Sequence, residues 1–286
     1  MRKLGRLSLK GTVMRKSHQL TTLVFLISQI TFTFGCGDRS AKPRQSAVAN
    51  QSPVNTSQAE PPLIQCVRND DLVCVQRLLA DGSGADAKDR NGSTALMISA
   101  IKGNKEVVET LIKFGADVNF VNTNTEVGPT ALSMATIGNR EDIVDLLLSK
   151  GANPNAREKN GLSVLHRAVE QDNIRIVRAL LAKGSDPNLK ENILGKTPLF
   201  SAVADGLEIT KELLDKGADV NASSISGWTP LMEAVNNGST SGVRLLVAHG
   251  ANVNAKDKDE WTPLKQAYLI GCSDIIDLLE KSGASE

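Results

Sequence analysis

Among residues able to do chemistry, Ser163 and His166 are the best-spaced pair, since three residues bring a hydroxyl within reach of an imidazole, the start of a nucleophile-and-base arrangement. The other histidines, His18 and His249, are isolated, and with only four cysteines in 286 residues no zinc cluster at ligand spacing can be assembled. Asp257-Lys258-Asp259-Glu260 offers carboxylates for calcium but lacks the D-x-[DN]-x-[DN]-G order and the bidentate Glu that closes such a loop. Ala87-Lys88-Asp89-Arg90-Asn91-Gly92 fails at its first ligand position, which is Ala87. No glycine-rich loop is present to cradle a phosphate. The chain therefore reads as a non-enzyme with no catalytic residues, no metal, no cofactor and no small-molecule substrate.

The balance of 33 Lys+Arg against 32 Asp+Glu hides an asymmetry. Arg2, Lys3, Arg6, Lys10, Arg15 and Lys16 precede residue 36 with no acid among them, so 27 bases face 32 acids in the remainder. A net-acidic body excludes the polybasic footprint of a nucleic-acid binder, and no nucleic-acid partner is expected. Hydrophobic residues make up 41%, enough to bury a core, but aromatics only 3%.

The stretch Leu20–Phe34, LTTLVFLISQITFTF, is uncharged, follows the basic lead and ends in Gly35-Cys36. At 15 residues it is short of the roughly 20 a membrane span needs, and its order is that of a secretory signal. An uncleaved signal anchor is the alternative. The segment 1–35 resembles a bacterial lipoprotein signal peptide through Gly35 and Cys36, although Thr33 stands where that family prefers Leu and Phe34 is bulky. The resemblance implies a diacylglycerol on the Cys36 thiol, with acyl chains worth about 0.8 kcal/mol per buried CH₂. It also implies a place in the cell envelope, outside the cytoplasm, and Gly37 after the cysteine leans towards the outer membrane. Met14 would give the more conventional basic lead. Residues 36–60, rich in Ser, Gln, Ala, Asn and Pro, bury too little to fold and are expected to be a disordered tether, with a reach of roughly 25–30 Å.

The elements that must position everything else come from a repeat. A leucine recurs at 63, 96, 132, 165, 199, 231 and 264, and a second at 78, 111, 147, 180, 213, 246 and 279. Three residues after each first leucine sits a small side chain: Cys66, Ser99, Ala135, Ala168, Ala202, Ala234 and Ala267. The spacing predicts units at about 61–93, 94–129, 130–162, 163–196, 197–228, 229–261 and 262–286, each of two short helices and a turn. Each second helix ends at a glycine suited to a left-handed position, and Asp/Asn-rich turns such as Gly217-Ala-Asp-Val-Asn-Ala222 follow.

Thr-Pro-Leu at 197–199, 229–231 and 262–264, with the Gly-Ala-Asp-Val-Asn-Ala run, resembles the ankyrin repeat. The resemblance implies an all-α solenoid with short β-hairpin fingers over 61–286, working by non-covalent protein binding through the fingers and the concave face of the first helices. In this reading Ser163 and His166 fill the Thr and His slots that fix a turn. The His slot holds Met97, Ser133, Phe200, Met232 and Lys265 in the other units, and the first unit opens with Pro61-Pro62. Glu280 and Lys281 replace apolar residues in the last unit, as the exposed face of a cap requires. Cys66 and Cys74 fall on interior slots as buried free thiols or, in an oxidising compartment, as a pair tying the first unit; Cys272 is a lone thiol at a turn.

Most fingers are polar, as in Asp89-Arg90-Asn91 and Glu158-Lys159-Asn160. Leu162, Ile193, Leu194, Ile225, Trp228 and Trp261 break that pattern and are the expected partner-binding residues. The competing expectation is that the two Trp rings pack across adjacent repeats. Extra residues near 121–127 and 192–194 also fall in fingers. Two functions fit: a membrane-tethered scaffold for a protein partner, or a protective, immunity-type accessory subunit of a neighbouring envelope enzyme or toxin.

Overall fold

The computed structural model describes residues 60–204 and 206–285; the signal segment 1–35, Cys36 and the tether up to residue 59 lie outside the described residues. Fourteen helices occur among the described residues: α1 (Pro62–Arg68), α2 (Leu72–Ala80), α3 (Ala95–Lys102), α4 (Lys105–Lys113), α5 (Ala131–Ile137), α6 (Glu141–Ser149), α7 (Val164–Glu170), α8 (Ile174–Ala182), α9 (Pro198–Ala202), α10 (Leu207–Asp215), α11 (Pro230–Asn236), α12 (Thr240–Ala248), α13 (Pro263–Ile270) and α14 (Ser273–Lys281). They run in pairs, and each pair packs on the next. The architecture is an all-α solenoid. The fingers fall short of a ladder, and only Lys88 with Thr94 and Arg157 with Ser163 close as isolated antiparallel bridges.

Each helix starts and stops for a local reason. Thr94 and Thr229 accept hydrogen bonds from the backbone N–H three residues on, satisfying donors that the first turn leaves open. Thr130 with Ser133 does so reciprocally. The second helices end in a tight cap in which, at α4, Ala116 N–H reaches Leu111 O and Gly115 N–H reaches Ile112 O. Gly115 sits there at φ 89°, a conformation that a Cβ would disfavour.

The core is a double column. Leu111, Leu147, Leu180, Leu213, Leu246 and Leu279 of the second helices are fully buried, each contributing about 1.5–3 kcal/mol by leaving water. Ala135, Ala168, Ala202, Ala234 and Ala267 are equally buried on the first helices, where their small size lets consecutive helices approach. At the first pair the column is open on its outer side, so Leu78 and Cys74 are only half-buried. Cys66 and Cys74 are joined in a disulfide across 5.8 Å between Cα atoms, linking α1 to α2. The expectation of two buried free thiols does not hold: the two side chains meet across the α1–α2 turn, at an end of the stack that is open on one side. Glu280 and Lys281 are exposed at the other end.

Two further sets of bonds run from pair to pair. Along one edge Asn119 donates from Nδ2 to Gly151 O, while its Oδ1 accepts from Asn153 N. Asn155, Asn188, Asn221 and Asn254 repeat this two-way bond with the next unit. Along the finger edge, backbone N–H groups of Lys159, Asn192, Ile225 and Lys258 donate to the carbonyls of Val127, Asn160, Leu194 and Ser226, all at 2.8–2.9 Å.

The pair α9–α10 departs from its neighbours. α9 has five residues, and Thr197, although placed as an N-cap and buried, makes no side-chain bond. Thr210 on α10 is also fully buried with an unpartnered hydroxyl, in the slot held elsewhere by Val75, Val108, Val144, Val177 and Val243. A buried hydroxyl without a partner retains its full desolvation cost.

Two substitutions test these bonds. Asp86 occupies the first rung of the asparagine ladder and accepts from Asp117 N at 2.8 Å, but a carboxylate has no donor for the carbonyl that the amides reach. Asp86→Asn should add that bond and raise stability by about 0.5–1.5 kcal/mol in denaturant melts; an unchanged midpoint would show the rung is complete without it. Thr210→Val should stabilise by about 1–3 kcal/mol, and a loss of stability would mean the hydroxyl is satisfied.

Candidate functional site

Apolar side chains meet solvent on helices at the two ends, as at Val73 and Leu269, and in a run along the finger rim. Ile193 is 70% exposed, Leu194 54%, Ile225 57% and Trp261 38%, on three consecutive fingers. Leu162 and Trp228 are half-buried. The structure thus gathers Ile193, Leu194 and Ile225 at adjoining tips, where Ile225 N–H donates to Leu194 O. Gly195, at φ 70°, permits this contact, because a Cβ there would stand 3.0 Å from Ile225 Cγ1. Trp228 sits further in: its indole Nε1–H donates to Glu233 Oε2 at 3.0 Å, and the same carboxylate oxygen pairs with Lys196 Nζ at 2.8 Å. Lys196 in turn lies over the Phe200 ring. The Trp228 ring is therefore tied into a polar network within the stack.

Glu191 shapes the apolar tip and escaped sequence reasoning. Its carboxylate accepts the backbone N–H groups of Ile193, Leu194 and Lys196 at 2.6–3.0 Å. Burial pushes its pKa up, but these three donors outweigh that cost and hold the carboxyl below its ordinary value. The signal was an oxygen-bearing residue at the base of several fingers, since Asp89, Ser224 and Asp257 also accept from finger backbone N–H groups. Arg157, Lys159 and Lys190, exposed on the same rim, read as ordinary surface charge in the sequence.

Ser163 and His166 form a reciprocal N-terminal cap of α7. Ser163 N–H donates to His166 Nδ1 at 3.1 Å, Ser163 Oγ lies 2.8 Å from the same nitrogen, and His166 Nε2 lies 3.2 Å from Lys196 O. An acceptor at Nδ1 and a carbonyl at Nε2 together call for the neutral tautomer with its proton on Nε2. Burial lowers the imidazole pKa below its ordinary value, against the opposing pull of the Lys196 carbonyl and the Glu191 charge. Both side chains are almost entirely buried, so no substrate atom can approach the Ser163 hydroxyl. Beside the pair, Arg167 holds the buried Glu158 with two nitrogens and Glu170 with a third, which ties α7 to its finger.

Elsewhere, a cleft of about 600 Å³ between Leu207 and Arg244 is open to solvent and has Arg244 as its one titratable lining side chain. Among the described residues no group of His, Cys, Asp or Glu could hold a metal ion. None of the described helices is long and apolar enough to cross a membrane.

Stacked helix pairs with capped turns and linked fingers define a helical repeat scaffold. The family model of ankyrin repeats matches residues 63–158, 152–224 and 224–285, and the chain belongs to the ankyrin-repeat family. Mitochondrial disaggregase of Homo sapiens is 41% identical over 70 residues, 24% of this chain and 10% of that protein. Mitochondrial disaggregase of Bos taurus is 35% identical over 115 residues, 40% of this chain and 17% of that protein. The chain thus spans less than a fifth of the length of these curated relatives. The crystal structure of the ankyrin repeat domain of Bcl-3, a unique member of the IkappaB protein family, aligns with a TM-score of 0.71 at 30% identity, over 78% of this chain and 100% of that one. Ankyrin-repeat domains generally mediate protein–protein interaction, and the fold is typically a non-enzymatic scaffold.

The neutral His166 gives a pH dependence with a definite sign. The folded imidazole holds a proton less tightly than the unfolded one, whose pKa is about 6.5. Its contribution to stability is complete above about pH 6.5, falls as pH drops below that value, and levels off past the lowered folded pKa. His166→Gln keeps an acceptor for the Ser163 N–H without titrating. Thermal melts between about pH 7.5 and pH 5.5 should fall further in the wild type than in this variant; parallel slopes would mean that the folded imidazole titrates normally.

Proposed function

We propose that this chain is an envelope-tethered scaffold of seven ankyrin repeats that binds a protein partner non-covalently at its finger rim. Cys36 carries the lipid, residues 36–60 are the tether and residues 61–286 the repeat domain. The observation that carries this reading is the run of exposed aliphatic side chains, Ile193, Leu194 and Ile225, on tips held rigid by Glu191 and by backbone bonds from finger to finger. Exposed apolar groups on a polar rim need a partner, and a rim ordered beforehand loses little entropy on docking. The Cys66–Cys74 disulfide supports a location outside the cytoplasm, because such bonds persist in oxidising compartments.

The test uses the full chain in the cells that make it. Cys36→Ser should move the protein out of the membrane fraction or leave its precursor uncut, and wild type found soluble with its N-terminus at another residue would reject the tether. Ile225→Ser should abolish capture of the partner from detergent-solubilised membranes at an unchanged melting temperature. Capture that persists, or that falls in step with stability, would reject the rim.

A further inference from the structure

The charges around the apolar tips point to the chemistry of the partner. Arg157, Lys159 and Lys190 are all exposed on the fingers, Arg157 reaching Asn192 next to Ile193, and Lys159 and Lys190 reaching the fingers on either side. Each is pinned by oxygens that carry no formal charge. Arg157 Nη2 donates to Lys190 O at 2.6 Å and to Asn192 Oδ1 at 3.3 Å. Lys159 Nζ donates to Thr123 O at 2.9 Å, and Lys190 Nζ to Ser223 O at 2.7 Å. Among the described residues no carboxylate pairs with any of the three. Most acids on these fingers are already engaged, Glu158 by Arg167, Glu191 by three backbone N–H groups, and Glu233 by Lys196 and Trp228, while the exposed Glu126, beside the Val127 carbonyl that takes the Lys159 N–H, makes no ion pair with Lys159. Three fixed cations without a carboxylate partner are thus spread in a row along the fingers, from Thr123 to Ser223, with Ile193 and Leu194 on a finger within that row and Ile225 two residues beyond Ser223.

We infer that the rim takes an acidic, apolar polypeptide segment, whose aliphatic or aromatic side chains cover Ile193, Leu194 and Ile225 while its carboxylates meet Arg157, Lys159 and Lys190. This rests on the reading of the rim as a protein-binding site and adds the class of segment it selects. Opposite charge at the border of an apolar patch gives register and speed of association, and the patch gives affinity. The cations are set before binding, since their side chains are anchored to the backbone of neighbouring fingers and need no reordering. A membrane surface fits less well. A flat anionic surface would also cover the next finger, whose Asp257, Asp259 and Glu260 repel it, whereas a short segment need not reach them, and the pinned lysines have no freedom to follow headgroups.

The experiment selects phage-displayed random dodecapeptides on the full chain in detergent micelles, with counter-selection on the Ile193→Ser/Ile225→Ser double variant. Enriched peptides should carry at least two Asp or Glu beside a pair of aliphatic or aromatic residues. Their affinity should fall about tenfold or more in Lys159→Glu/Lys190→Glu, and fall with rising salt. Lys159→Gln/Lys190→Gln keeps a donor for each carbonyl while removing the charge, and should weaken binding in the same direction if the reversed pair destabilises the fold. Peptides without acids, peptides rich in Lys or Arg, or no enrichment over the apolar variant would overturn the inference. So would retention on phosphatidylglycerol vesicles, over phosphatidylcholine, that the apolar variant loses. Partner capture separates the two readings. Loss in the apolar variant with retention in both lysine variants leaves the rim standing and rejects the acidic segment, whereas capture unchanged in all variants rejects the rim itself.

Discussion

The bond on which this molecule most depends joins one unit to the next rather than closing within a unit. Each carboxamide from Asn119 to Asn254 gives a hydrogen to a carbonyl of the following unit and takes one from its backbone N–H, so the two units are held at a single spacing and a single register. Apolar burial is non-directional and by itself does not specify the hydrogen-bonding register of neighbouring units. Directional bonds do specify it. With the ladder on one edge and the backbone bonds of the fingers on the other, the buried leucines and alanines between them are clamped from both sides. Rigidity at the finger tips follows from this clamping.

That rigidity frames what the surface can do. Isoleucine and leucine on a mobile loop would collapse onto the nearest apolar neighbour and leave little for a partner. Here Glu191 collects the N–H groups of the tip itself, and Gly195 lets the next finger close against it, so Ile193, Leu194 and Ile225 stay outside. Charge is sorted by the same logic. Carboxylates around the tip are consumed internally, and the cations are pinned to carbonyls, which position them without cancelling them.

The solenoid was legible because its period is written in side chains that cannot be moved: a leucine that must be buried, a small residue where helices meet, a glycine at the left-handed cap. What escaped had no such signature. Thr197-Pro198-Leu199 repeats the letters of 229–231 and 262–264, yet its hydroxyl caps nothing and its helix is the shortest. The hairpin fingers are as short as the letters imply: two close as bridges and others by single backbone bonds such as Ser224 N–H to Trp228 O, while further bonds run from finger to finger. Spacing placed Cys66 and Cys74 on consecutive helices without saying that their Cα atoms stand 5.8 Å apart. At the rim, the apolar tips stood out against a sequence poor in aromatics. The role of Glu191, and the absence among the described residues of a carboxylate partner for Arg157, Lys159 and Lys190, depend on where unrelated backbone oxygens fall, and no local pattern encodes that.

The asparagine ladder also gives the protein a chemical clock. Side-chain amides hydrolyse slowly to carboxylates, and asparagine is among the residues that thermostable proteins avoid for this reason. In most surface positions the change adds one negative charge and little else. In this ladder it would delete a donor and set a carboxylate oxygen against a main-chain carbonyl, so each event would loosen one junction while leaving the helices on either side intact. Ageing would thus weaken the molecule between units and not within them, and the rung at Asp86, which keeps its bond from Asp117 N–H without the amide donor, already has the composition that ageing would give the others.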